Sequence, residues 1–127
     1  MYQIFCGKTA LIVEDEESNW FLIRDILQSY QMKTVWADVG QKAIDWVAEG
    51  KKFDIILMDI HLPTMDGMEV TRRLKEMGSK IPVVAQTAFA LNEEIEKCYN
   101  AGCVAHVCKP FTVAEITTVV KNVLEQH

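Results

Sequence analysis

The chain has 127 residues, half of them apolar and 24% charged, with 13 Lys and Arg against 18 Asp and Glu for a net charge of −5. That size and balance describe one globular domain with a substantial core, and exclude a disordered tail. No basic run exceeds Lys51-Lys52 or Arg72-Arg73, which argues against direct nucleic-acid binding, and the longest stretch free of Asp, Glu, Lys and Arg, residues 81–92, falls well short of the ~20 apolar residues of a membrane span.

Residues 1–7 lack the basic start and apolar core of a signal peptide, so a soluble, cytoplasmic protein is expected. They read as a strand extension, an interdomain linker or a cloning remnant, ahead of a single domain over 8–127. The apolar run 10–13 is the first strand and leads into Glu14-Asp15. Trp20, Ile23, Ile26, Leu27 and Tyr30 then recur at helical spacing. A second strand over 34–37 leads into Asp38, a candidate cap for a helix carrying Ala43, Ile44 and Val47 and ending near Gly50. The third strand, 55–58, leads into Asp59, and Val70, Leu74 and Met77 mark a helix stopped by Gly78. The fourth strand, 82–85, leads into Gln86-Thr87; Ile95, Cys98 and Tyr99 lie on a helix that Asn92 can cap and Gly102 can end. The fifth, 105–108, leads into Lys109-Pro110, and Thr112-Val113-Ala114-Glu115 is a capping box before a helix bearing Ile116, Val119, Val120, Val123 and Leu124.

Short β-branched runs of this kind predict strands buried on both faces. Five strands alternating with five helices predict a doubly wound α/β domain around a parallel sheet. Cys6, Cys98, Cys103 and Cys108 are expected to be reduced, and the spacing of the last three lacks the C-x2-C pairs of a structural zinc site. Most of Trp20, Trp36 and Trp46 are expected in core packing, with Trp20 near enough to Asp15 in sequence for its fluorescence to report binding there.

In an open parallel sheet the ligand site lies beyond the carboxyl ends of the strands, where strand order reverses. If strands one and three are central neighbours, Glu14, Asp15 and Asp59 converge there. Their repulsion raises some of their pKa values and destabilises the fold unless a cation fills the gap. Oxygen ligands in small number suit Mg2+ better than Ca2+. Thr87 and Lys109 add the hydroxyl and ammonium that a doubly charged phosphoryl group requires. Each of these residues alone has an ordinary role as a turn, a cap or a solvated charge. Their placement after four of the five strands points instead to phosphoryl transfer to or from Asp59.

Four strings carry a family likeness: Val13-Glu14-Asp15-Glu16, Ile56-Leu57-Met58-Asp59-Ile60-His61-Leu62-Pro63-Thr64-Met65-Asp66-Gly67, Gln86-Thr87-Ala88 and Lys109-Pro110-Phe111. In these, in order and at these separations, the chain resembles the receiver domain of two-component response regulators, either free-standing or as part of a hybrid histidine kinase. The resemblance implies a flavodoxin-like fold with strand order 2-1-3-4-5 and five helices. It implies that Asp59 is the phosphoacceptor, charged by a histidine kinase or histidine phosphotransfer protein. Mg2+ would be held by Asp15 directly, by Glu14 through water, by Asp59 and by the backbone carbonyl of His61. Lys109 would pair with phosphoryl oxygens ahead of a cis Pro110, and Thr87 would turn inward to the phosphoryl group past a small Ala88. Such a domain catalyses its own phosphorylation and dephosphorylation but acts by binding. Its output, and any homodimer, would use the surface of helix four, strand five and helix five.

Three departures stand out. Glu14-Asp15 replaces a pair that is often two Asp residues. The position that resembles the family's switch on the fifth strand, usually Tyr or Phe, is His106, which is polar and smaller, and which reads either as a switch that differs between pH 6 and 8 or as an ordinary half-buried histidine of an edge strand. His61 and Phe89 resemble the family's variable positions that flank the path of hydrolytic water, which implies that they tune the lifetime of the phosphorylated form. Other classes fit less well. A phosphatase working through an aspartyl phosphate would want Asp where His61 stands, and a dinucleotide or flavin site would want glycines where Glu14-Asp15-Glu16-Glu17 repel phosphate. The remaining alternative is a receiver used for docking or dimerisation without phosphorylation.

Overall fold

The structure is a computed structural model that describes residues 3–88 and 91–127. A 3-10 turn at Gln3–Phe5 precedes β1 (Thr9–Val13), α1 (Glu17–Gln28), β2 (Lys33–Ala37), α2 (Gly40–Ala48), β3 (Ile55–Asp59), α3 (Gly67–Glu76), β4 (Val83–Thr87), α4 (Asn92–Ala101), β5 (Ala105–Cys108) and α5 (Val113–Gln126). The strands form one parallel sheet in the order β2-β1-β3-β4-β5, the expected doubly wound topology.

Alternation along the strands divides the apolar residues between two layers. Leu11, Val13, Ile56, Met58, Val83 and Ala85 pack with Ala43, Ile44, Val70, Leu74 and Cys98 under α2, α3 and α4. On the other face Ala10, Ile12, Leu57, Val84 and Val107 pack with Ile23, Leu27, Ile116 and Val120 of α1 and α5. Each fully buried Leu or Ile stabilises the fold by about 1.5–3 kcal/mol. Phe5 belongs to this second layer, wholly buried and edge-on to Tyr30 with ring centroids 5.2 Å apart.

Only β1, β3 and β4 are enclosed on both faces as expected; β2 and β5 are partly exposed along most of their length, because each lies at a sheet edge where one lateral neighbour is missing. Two strands also run further than the apolar runs suggest. Asp59 pairs with Gln86 and Thr87 with Cys108, so the backbone ladder continues through the polar residues that begin the site.

The capping box at Thr112 is present, with its hydroxyl accepting from the Glu115 N–H at 3.1 Å and the Glu115 carboxylate accepting from the Thr112 N–H at 3.0 Å. Gly102 closes α4 at φ +118°, a conformation an L side chain resists. Two expected caps are corrected. Leu91 holds the N-cap of α4 without a side-chain bond, since Asn92 is already helical. Asp38 sits one residue too early to cap α2, where Val39 is the N-cap, and pairs with Lys42 at 2.7 Å instead.

Candidate functional site

Parallel pairing of Val13 with Met58 brings the residues that follow, Glu14 and Asp59, to the carboxyl edge of the sheet side by side. Glu14, Asp15 and Asp59 each offer a carboxylate oxygen within 4.8 Å of the others. Glu14 is fully buried and Asp59 is 3% exposed, whereas Asp15 faces solvent. The Lys109 ammonium reaches across from the end of β5 to Glu14 Oε1 at 3.1 Å and Asp59 Oδ2 at 3.2 Å. Backbone N–H groups take the remaining oxygens: Glu16 donates to Glu14 Oε2 at 3.2 Å and His61 donates to Asp59 Oδ1 at 3.0 Å. Each buried carboxylate is thus held by one ammonium and one amide.

Three carboxylates against one ammonium leave the pocket with surplus negative charge. Burial, followed by the neighbouring charge of Asp59, pushes the Glu14 carboxyl up to about 7, although Lys109 pulls the other way. Burial opposes the charge of Lys109, yet the carboxylates of Asp59 and Glu14 outweigh it and hold the ammonium above its usual pKa.

An acid whose pKa is raised on folding binds more protons in the folded state, so its favourable contribution is complete below its unfolded value and disappears as pH rises through the folded one. With Glu14 rising from 4.5 to about 7, the protein in EDTA is expected to lose about 2–3 kcal/mol between pH 4.5 and 7.5. Urea denaturation across that range measures it, and a flat profile counts against the crowded carboxylates. Oxygen donors, buried negative charge and an exposed third carboxylate fit a small hard dication, which would be held by Glu14, Asp15 and Asp59.

Thr87 ends β4 fully buried, and its carbonyl accepts from the Lys109 N–H at 2.7 Å. His106 lies on the adjacent strand, paired with Ala85. It is half-buried, its Nδ1 lies 3.0 Å from the Tyr99 hydroxyl of α4, and the two rings meet edge-on at 5.8 Å. His61 is exposed beside Asp59; Phe89 lies outside the described residues. The Lys109-Pro110 bond is cis, as the resemblance implies. All four cysteines are free thiols.

Two features at this edge escaped the sequence reading. The Trp36 indole donates to the Glu14 carbonyl at 2.7 Å. Gln86 is fully buried in register with Asp59, and its amide has no hydrogen-bond partner among the described residues. Sequence offers no signal for the first, since an indole in a strand looks the same whether or not its N–H is used.

The chain matches the response regulator receiver domain family over residues 10–121. It is 39% identical over 119 residues to the polar-differentiation response regulator DivK of Brucella anthropi, covering 92% of this chain and 96% of that one, and 40% identical to DivK of Brucella ovis over the same shares. Among solved structures, it resembles the receiver domain of the sensor histidine kinase PA1611 from Pseudomonas aeruginosa PAO1, which has a magnesium ion coordinated in its active site cleft, at 34% identity and a TM-score of 0.84, covering 94% of this chain and 99% of that one. The N-terminal domain of a response regulator/sensory box/GGDEF protein from Carboxydothermus hydrogenoformans is similar at 32% identity and a TM-score of 0.85, covering 94% and 95%. With its sheet order, its acidic edge and these relatives in agreement, the chain belongs to the response regulator receiver domains of two-component signalling.

Proposed function

We propose that Asp59 accepts a phosphoryl group from a histidine kinase or histidine phosphotransfer protein in the presence of Mg2+, and that the domain signals through the surface of α4, β5 and α5. The observation that carries this reading is the single ammonium of Lys109 bonded at once to Glu14 and Asp59 in a pocket that still has negative charge to spare.

An Asp59 carboxylate oxygen attacks phosphorus, a P–O bond forms, and the P–N bond of the donor breaks with its electron pair returning to the imidazole. The product is a mixed anhydride that water later hydrolyses. Bound Mg2+ supplies the charge neutralisation that lets an anionic carboxylate meet an anionic phosphoryl group. Glu14, Asp15, Asp59 and the His61 carbonyl are its proposed ligands. Lys109, already on Asp59, turns to the phosphoryl oxygens, and Thr87 donates its hydroxyl to them. His61 and Phe89 set the access of hydrolytic water. A groove lined by Asn19, Leu22, Ala88, Lys109, Pro110 and Phe111 lies beside the site and offers a docking face to the donor protein.

Switching runs from Thr87 to His106. The Tyr99 hydroxyl ties His106 to α4, so release of that bond accompanies any movement of His106. Tyr99→Phe removes it and is expected to favour the activated packing about fivefold, on the order of the roughly 1 kcal/mol of one net hydrogen bond. NMR shifts titrated with a phosphoryl mimic measure this, and an unchanged midpoint would remove Tyr99 from the switch.

Mass spectrometry of the intact protein after acetyl phosphate, in Mg2+ or EDTA, tests the proposal. Wild type is expected to gain one phosphoryl group only with Mg2+, and Asp59→Asn none. A folded wild type that gains nothing from acetyl phosphate or from phosphohistidine proteins would favour the docking or dimerisation receiver instead.

A further inference from the structure

The backbone of Glu14 is pinned from β2 on both sides. Its N–H donates to the Ala37 carbonyl at 3.0 Å, and its carbonyl accepts from Trp36 Nε1 at 2.7 Å. The Trp36 ring is itself held by Trp20 of α1, stacked at 5.4 Å with an interplanar angle of 10°. Glu14 has a second set of restraints on its side chain, from Lys109 and the Glu16 amide. Asp15, next in the chain and exposed, lies beyond the last paired residue of β1. Its direction depends on the plane of the Glu14–Asp15 peptide, and the oxygen of that peptide is the one the indole holds.

We propose that Trp36 is a positioning residue for the cation pocket: its indole N–H fixes the Glu14–Asp15 peptide so that the Asp15 carboxylate stays within reach of Glu14 and Asp59, while Trp20 keeps the indole in place. The inference rests on the proposed binding of Mg2+. An indole suits the task because it only donates, so it cannot turn round to compete for the cation. The bond is short and part-buried, and side-chain packing alone does not require it. It acts on the metal at one remove, as partners of metal ligands commonly do, with effects of roughly 10–100-fold on affinity.

The test is isothermal titration of Mg2+ into wild type, Trp36→Phe and a protein carrying β-(3-benzothienyl)alanine at position 36, which keeps the bicyclic shape and loses only the N–H. Melting temperatures in EDTA are taken alongside. Both substitutions are expected to weaken Mg2+ binding about tenfold, with the benzothienyl protein melting at the wild-type temperature. Trp20→Phe, which leaves the donor in place, should weaken binding less than either. Wild-type affinity in the benzothienyl protein overturns the proposal, as does a lowered melting temperature in Trp36→Phe with unchanged affinity, since that is what simple packing predicts. Absence of Mg2+ binding by wild type is a separate result: it overturns the metal reading itself and this proposal with it.

Discussion

Replacing Lys109 with Met is expected to remove about 3 kcal/mol of stability at pH 8 in EDTA, with most of the loss recovered at pH 5 or on adding Mg2+. The methylene stem is kept, so packing changes little. What disappears is the only cation bonded to Glu14 and Asp59 among the described residues. Removing one partner of a buried ion pair typically costs about 3–5 kcal/mol, because a charge is left buried and uncompensated. Lys109 is 18% exposed, so some of its attraction is already screened and the lower end applies. The dependence on conditions follows from what relieves the strain. At pH 5 Glu14, already raised to about 7 with the lysine present, takes a proton and the repulsion ends. A dication does the same at pH 8 by direct neutralisation. Urea denaturation in the four combinations of pH and metal decides the matter, and equal losses in all four would mean that Lys109 acts through its stem alone.

Gly67→Ala is expected to destabilise the protein by about 3 kcal/mol and to abolish phosphoryl uptake at Asp59 even where the protein remains folded. A Cβ at position 67 would collide with the Asp59 carbonyl oxygen and lie 2.8 Å from Ile60 Cα and 2.8 Å from Met58 Cγ. Two of those three neighbours are backbone, one of the acceptor itself and one of the residue that follows it. The Gly67 N–H also donates to the Ile60 carbonyl at 3.1 Å, and its own carbonyl accepts from the Thr71 hydroxyl at 2.8 Å. Relief therefore requires the start of α3 and the end of β3 to separate. Gly40 provides the contrast: there the Cβ would meet only the Val70 side chain and, at 3.6 Å, Leu62 Cδ1. Gly40→Ala should accordingly lose stability but keep phosphoryl uptake. Wild-type uptake in Gly67→Ala would show that the loop after Asp59 tolerates displacement.

Much of this architecture is readable from hydrophobic pattern alone, for a specific reason. In a doubly wound sheet the central strands are enclosed on both sides, so β1, β3 and β4 are written as unbroken apolar runs. The edge strands carry the same kind of residue without the same enclosure, and pattern does not separate the two cases. Helix ends were harder to place. Asn92 and Asp38 are good capping residues one position away from where a cap must stand, and a single residue of register is below what composition can resolve. Glu14, Asp59, Thr87 and Lys109 stood out in the sequence only together, since each alone has an ordinary role and their shared placement at the ends of four strands is what singles them out. The contacts among them were less so. The reach of Lys109 to Glu14 spans 95 positions, and the bond from Trp36 to Glu14 depends on a register between β1 and β2 that neither segment announces. Gln86 was legible as polar, but not as a buried amide without a partner among the described residues.

The open edge at β5 has a further consequence. An unpaired edge strand is a template on which another chain can add its own strand, and folded proteins blunt such edges with short strands, lysines and prolines. Here β5 is four residues long and is followed at once by Lys109-Pro110. Proline has no N–H to give to an incoming strand, so the ladder cannot be prolonged past Lys109. At the far edge β2 opens with exposed Lys33 and is followed by the Asp38–Lys42 ion pair. The lysine that serves the pocket thus stands in the dipeptide that ends the open edge of the sheet and blunts it against strand addition.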